Sequence, residues 1–246
     1  MLVSSPLEQF KVTEAVAVLI SIGALLFSYV TWRRTMVWTL QKQLSDATTQ
    51  IGAVEIALQD VETQVVIATA NNSPELPRIR TKRQALNEQR YSLAGQADYL
   101  LREMPRRSRK RLVSGQQYAI VARALSAYDD SDAGQYWQEA IDGAKGRYRI
   151  MYQRDYAKFL FSQGRSVEGR EFYATAVSGE TTNERVLWEK MWVFIESAKS
   201  EKNAKDEQRA LASFERAREI VRDHLGGNRK AEGEQVLAEQ HKLIFS

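Results

Sequence analysis

The stretch VWTLQKQLSDATTQIGAVEIALQDVETQVVIA, residues 37–68, decides the fold of this chain. Apolar residues recur in it at alternating spacings of three and four, without a break. These positions are Val37, Leu40, Leu44, Ala47, Ile51, Val54, Leu58, Val61, Val65 and Ala68. An apolar period of about 3.5 residues is typical of a helix whose seam packs against another helix. We therefore predict a long helical stalk and interpret the rest of the chain from it.

A second helix is predicted directly after the stalk. The segment 71–77, Asn-Asn-Ser-Pro-Glu-Leu-Pro, is a strong signal for the end of one helix and the start of another. Beyond it, apolar residues recur every seven positions, at Ile79, Leu86, Leu93 and Leu100. An antiparallel helical hairpin of coiled-coil type over residues 35–104, with its tip at 71–77, is the simplest arrangement. A homodimeric coiled coil is the alternative, and the two can coexist as a four-helix bundle.

The residues before the stalk predict a membrane anchor. Residues 15–32 carry no charge over 18 positions, which is enough for a spanning helix. We predict a transmembrane helix within residues 1–34 that contacts the lipid bilayer through residues 15–32. A cleaved signal peptide is disfavoured because no small-x-small site follows the apolar core, and a buried core helix is rarely apolar on every side. Arg33 and Arg34 follow this segment, so the N-terminus is predicted outside and the C-terminal domain in the cytoplasm.

The net charge of +4 is concentrated in one short cluster. Residues 102–111 contain six basic side chains and one acidic one. We predict a basic linker at residues 105–114, which the returning arm of the hairpin brings back toward the bilayer. The candidate contacts for anionic lipid are Arg106, Arg107, Arg109, Lys110 and Arg111. A solvated linker is the alternative, and no nucleic acid partner is expected because no aromatic platform or reading helix accompanies the cluster.

A three-residue pattern repeats after residue 115. A small residue, an aromatic residue four positions later and an alanine three positions after that form Ala133-Trp137-Ala140, Gly169-Tyr173-Ala176 and Ala210-Phe214-Ala217. Recurrence after 36 and then 41 residues indicates stacked helix pairs. The middle copy, residues 156–177 with a Gly-Arg turn, resembles the tetratricopeptide-repeat (TPR) family. This resemblance covers about residues 115–225, and an ordinary irregular helical bundle is the alternative.

The resemblance implies a TPR-like α-solenoid over residues 115–246, closed by a C-terminal capping helix that we predict at 231–245. The whole chain is therefore predicted to be all-α. In this family the first helix of each pair lines a groove that binds a peptide or a helix of a protein partner. By register between the repeats, the candidate groove residues are Tyr118, Arg154, Lys158 and Phe161.

These features predict a membrane-anchored adaptor or scaffold that presents a protein-binding domain, and not an enzyme. The alternative is an oligomerising structural subunit of a membrane complex, a homo-oligomer that associates through its coiled coil. The chain has no cysteine and only two histidines, His224 and His241, which are not at ligand spacing. Phosphate-loop, hydrolase and metalloprotease motifs are missing from the sequence. We therefore expect no catalytic residues, no metal site and no cofactor.

Overall fold

A computed structural model describes the backbone of residues 6–128 and 132–246, with side chains from residue 18 onward. Ten helices and no strand occur in these ranges, so the predicted all-α fold class is confirmed. The helices are α1 (Pro6–Ala70), α2 (Leu76–Glu103), α3 (Arg106–Leu112), α4 (Gly115–Ser126), α5 (Ala133–Gly143), α6 (Arg147–Ser162), α7 (Ser166–Val177), α8 (Glu184–Asn203), α9 (Glu207–His224) and α10 (Gly227–Phe245).

The first two helices pack against each other as an antiparallel pair. Nine of the ten seam positions of the stalk are buried, and Val65 is half-buried. The chain reverses after Ala70, where Asn72 takes a left-handed conformation with φ of +48°, which asparagine tolerates better than most residues. Pro77 is the second residue of α2, where a missing N–H costs no helical hydrogen bond. The apolar seam of α1 is thus covered by the same chain.

The predicted anchor and the stalk belong to one continuous helix of 65 residues. Its only proline is Pro6, so nothing interrupts the hydrogen-bond ladder between them. Every residue from 18 to 36 is exposed. In the part of the chain that the structure describes, we find no helix with the length and apolar character needed to cross a membrane. The predicted span begins at residues 15–17, whose side chains lie outside the described residues.

The expected basic linker at 105–114 is in fact mostly helical, because α3 occupies it. Pro105 precedes the helix with φ of −54°, and its carbonyl accepts a hydrogen bond from the N–H of Arg109 at 2.9 Å. The Arg109 Nη1 atom also donates to the carbonyl of Leu101, at 3.0 Å. Gln41 Nε2 of α1 donates to the carbonyl of Leu112, at 3.3 Å. These two side-chain bonds hold α3 against the base of the hairpin.

The remaining helices pack as consecutive pairs, α4 with α5, α6 with α7, and α8 with α9. The aromatic and alanine positions of the repeated pattern are buried in all three pairs. The last helix, α10, packs on α8 and α9 and begins at Gly227, ahead of the predicted start at 231. The first pair also contacts the hairpin, since α4 packs against both α1 and α2. The hairpin therefore covers one end of the stack of pairs and α10 the other.

Candidate partner-binding surface

The first helices of the three pairs, α4, α6 and α8, lie in sequence, with α6 in contact with both of the others. Charged side chains bridge them. Arg123 of α4 pairs with Asp155 of α6 at 3.0 Å and with Glu55 of α1 at 3.6 Å. Arg154 of α6 pairs with Glu189 of α8 at 3.8 Å. A row of ion pairs thus ties the hairpin and the three helices together.

Burial perturbs the acids in this row. It raises the pKa of Glu55, and the nearby guanidinium of Arg123 only partly offsets that effect. Burial likewise raises the pKa of Glu189 against the opposing charge of Arg154. Both carboxylates sit where water solvates them poorly, so the cations beside them are needed as partners. Arg123 and Arg154 are therefore committed to contacts within the chain.

A second group of charges lies further along α6 and α8. Glu196 accepts from Lys158 at 3.0 Å and from Lys199 at 3.1 Å. Burial alone would raise the pKa of Glu196, but the two ammonium groups outweigh it and hold the pKa below its usual range. These three residues line a cavity of about 490 Å³, together with Phe161, Ser162, Ser200, Asn203 and Ala204. We refer to it as the α6–α8 cleft.

The aromatic wall of the α6–α8 cleft is Phe161, whose position depends on a glycine. A Cβ atom added to Gly169 would lie 2.5 Å from Cδ2 of the Phe161 ring. Phe161 also packs against Tyr173, with ring centroids 5.8 Å apart, and the Arg170 guanidinium lies 5.7 Å from its centroid. The small residue of the repeated pattern thus lets α6 and α7 approach closely and fixes one side of the cleft.

The polar groups of the cleft include both free and committed atoms. The Ser200 hydroxyl is 2.9 Å from the buried Tyr173 hydroxyl, and the Ser162 hydroxyl donates to the Phe159 carbonyl at 2.7 Å. Lys158 keeps about half of its side chain exposed, and Asn203 is exposed at the rim. The cleft thus offers the Asn203 amide and the exposed part of the paired Lys158 beside an aromatic ring, which suits a polar side chain or a short peptide segment.

The structure separates the four predicted groove residues. Lys158 and Phe161 lie together in the α6–α8 cleft, whereas Arg154 is largely buried in ion pairs. The prediction for Tyr118 is wrong, because this side chain is 4% exposed and stacks on Tyr136 at 6.1 Å between ring centroids. The hairpin also packs on α4, the helix that carries Tyr118.

The five predicted lipid contacts fall into two groups, one residue bonded within the fold and four that are exposed. Arg109 is half-buried and bonds the end of α2, so it does not belong with the others. Arg106, Arg107, Lys110 and Arg111 are exposed. Over residues 18–128 and 132–246, the structure gives none of these four a carboxylate within ion-pair distance.

Sequence reasoning missed the α8 side of the cleft. Glu196, Lys199 and Asn203 follow one another at spacings of three and four, so they share one helix face. This spacing is visible in the sequence, but it does not reveal that the face points at α6. In the described residues, no group of three or more His, Asp or Glu side chains could hold a metal ion.

Comparison with known proteins adds no relative. No protein-family model matches the chain, and no curated protein or solved structure does so either.

Proposed function

We propose that this protein is a membrane-anchored adaptor, in which the N-terminal part of α1 lies in the bilayer and the helix pairs bind a protein partner. The observation that carries the proposal is the exposed apolar surface at the start of α1. Ten large apolar or aromatic side chains are exposed there: Val18, Leu19, Ile20, Ile22, Leu25, Leu26, Phe27, Tyr29, Val30 and Trp32. They belong to the helix that also builds the hairpin.

A bilayer covers this surface better than a protein partner does. Successive residues of a helix point about 100° apart, so the ten side chains spread over about 240° of the helix circumference. A groove on another protein covers one face only. At about 1.5 kcal/mol or more for each large apolar side chain, removing ten of them from water is worth on the order of 15 kcal/mol.

The orientation follows from the flanking charges. Arg33 and Arg34 come directly after the apolar segment, and the exposed cations of α3 lie on the same side. Basic residues close to a span favour the cytoplasmic side. The helix pairs would then face the cytoplasm and hold a partner at high local concentration near the membrane.

The three helix pairs support a TPR-like α-solenoid as the binding domain. Their buried small-aromatic-alanine pattern and the α6–α8 cleft, with Lys158 and Phe161, are the features on which this part of the proposal rests. The partner we propose is a protein segment that places polar side chains beside Phe161 and Asn203, because Glu196 already pairs with both Lys158 and Lys199.

The membrane part is tested by alkaline carbonate extraction of cell membranes that contain the full chain. The wild-type protein should stay in the pellet, and Leu25→Asp with Leu26→Asp should release it. Ile56→Asp with Val66→Asp is the matched control, because these side chains are equally exposed on α1 but lie in the hairpin. Release of the wild-type protein into the supernatant would refute the proposed membrane anchor.

The partner part is tested by proximity labelling from the C-terminus of the full chain. Lys199→Ala with Asn203→Ala should remove a protein from the labelled set, because both side chains line the cleft. Lys145→Ala with Arg149→Ala, two exposed residues outside the cleft, should leave the set unchanged. An identical set for both variants would argue against the cleft as the binding surface.

A self-associating structural subunit is the second candidate. It is favoured by three exposed apolar residues of the hairpin, Ile56, Val66 and Ile67, which are 56% exposed or more. Sedimentation of the detergent-solubilised chain tests it. A wild-type oligomer that becomes monomeric with Ile56→Asp and Val66→Asp would support this candidate over the adaptor.

A further inference from the structure

We infer that α3 is a docking surface for the anionic headgroups of a lipid bilayer, held by Arg106, Arg107, Lys110 and Arg111. The inference rests on the proposed membrane anchoring and specifies which lipids the anchored protein prefers. It assigns four residues rather than the whole basic cluster, because Arg109 is used within the fold.

Helix α3 lies at the end of the hairpin that is closer to the apolar segment of α1. Arg83 of α2 meets Glu62 of α1, so α2 runs back along α1 and its end at Glu103 lies near the level of residues 41–44. The bond from Gln41 to the carbonyl of Leu112 places the end of α3 at the same level. Gln41 is nine residues beyond Trp32, the last residue of the apolar segment, which is about 14 Å along the helix axis.

The four exposed cations of α3 lie close together on this short helix. The four side chains form two pairs at a spacing of four residues, 106 with 110 and 107 with 111, so each pair shares a side of the helix. All four are exposed, and within the described part of the chain none has an acidic partner. Cations that the fold leaves unneutralised, near the end of the hairpin that lies closer to the apolar segment, are complementary to phosphatidylserine-type headgroups.

Nucleic acid fits this surface less well. Binding to single strands relies on aromatic side chains that stack on bases, and α3 (RRSRKRL) contains none. Trp32 and Trp38 are exposed on α1 at the end of the apolar segment, where an interfacial belt would be. The surface is therefore assigned to a bilayer.

The test measures how close α3 lies to vesicles that contain the reconstituted full chain. The chain has no cysteine, so Gln116→Cys gives a single exposed labelling site just after α3. A donor dye at this site reports energy transfer to acceptor-labelled headgroups. Vesicles of phosphatidylcholine alone are compared with vesicles that also contain phosphatidylserine. Flotation of the same samples reports anchoring separately.

Transfer should rise in the anionic vesicles for the wild-type chain, and the rise should disappear in about 1 M salt, where the Debye length falls to about 3 Å. Arg106→Gln, Arg107→Gln, Lys110→Gln and Arg111→Gln together should abolish the rise without changing flotation. The matched control removes four exposed cations elsewhere, through Arg78→Gln, Arg80→Gln, Lys82→Gln and Arg149→Gln. It should behave as the wild type, and an equal rise in all three proteins would overturn the inference.

Failure of the anchor gives a different result. If the wild-type chain does not float with neutral vesicles, the proposed function fails, and headgroup binding is then read from anionic vesicles alone. Since each basic residue near the surface strengthens binding by about fivefold, the four substitutions together should weaken it by about 600-fold. No binding to anionic vesicles would overturn the inference. The inference would also be overturned if binding of a labelled oligonucleotide depended on the four residues while binding to vesicles did not.

Discussion

Gly169→Ala tests the close approach of α6 and α7 that the repeated pattern requires. The added Cβ atom would lie 2.5 and 2.8 Å from two atoms of the Phe161 ring and 3.1 Å from the Ala157 carbonyl oxygen. The backbone oxygen cannot rotate away, so the ring or the whole of α7 must shift. Overpacking of this kind typically costs about 1–3 kcal/mol. Against it stands a gain of about 1 kcal/mol from replacing glycine within a helix.

Gly95→Ala is the matched control, because Gly95 is exposed inside α2 and its Cβ would meet nothing within 4 Å. This variant should be stabilised by about 1 kcal/mol. Gly169→Ala should be less stable than Gly95→Ala by about 1–3 kcal/mol. Chemical denaturation of the full chain, followed by circular dichroism, measures both. Equal stabilisation of the two variants would refute the close helix contact.

Three further predictions concern ion pairs, titration and the hairpin contact. Arg170→Met should lower the free energy of unfolding by about 3 kcal/mol, because it strands the Glu201 carboxylate, which is 3% exposed, while adding Glu201→Gln should recover much of that loss in the same denaturation assay. Because burial raises the pKa of Glu55, the contribution of Glu55 to stability falls as pH rises above 4.5, so the melting temperature of Glu55→Gln should rise relative to that of the wild type between about pH 4 and pH 7. The lowered pKa of Glu196 predicts the opposite trend. Glu196→Gln should be least stable relative to the wild type at neutral pH, and the difference in melting temperature should shrink in acid. Tyr128→Phe should cost about 1 kcal/mol and raise amide exchange where α2 meets α4, because it removes the hydroxyl that bonds the backbone of α2, and unchanged exchange there would contradict this.

The sequence by itself determined most of the helices and their buried faces, although it did not predict α3. The seam from Val37 to Ala68 and the helix stop at Asn71–Asn72 depend on local patterns, because residues three and four apart share one face of any helix. The pattern around Trp137 and Phe214 is equally local. These features were therefore predictable before any contact was known, as was the cationic character of residues 106–111.

The tertiary structure decided which of the predicted site residues remain available. Tyr118 is buried and stacks on Tyr136 of α5, Arg154 is neutralised by Glu189 from another helix, and Arg109 bonds the end of α2. Each outcome depends on how different helices pack against one another, and the periodicity of the sequence does not show that packing. The α6–α8 cleft arises for the same reason, since Lys158 meets Glu196 only when α6 and α8 pack side by side.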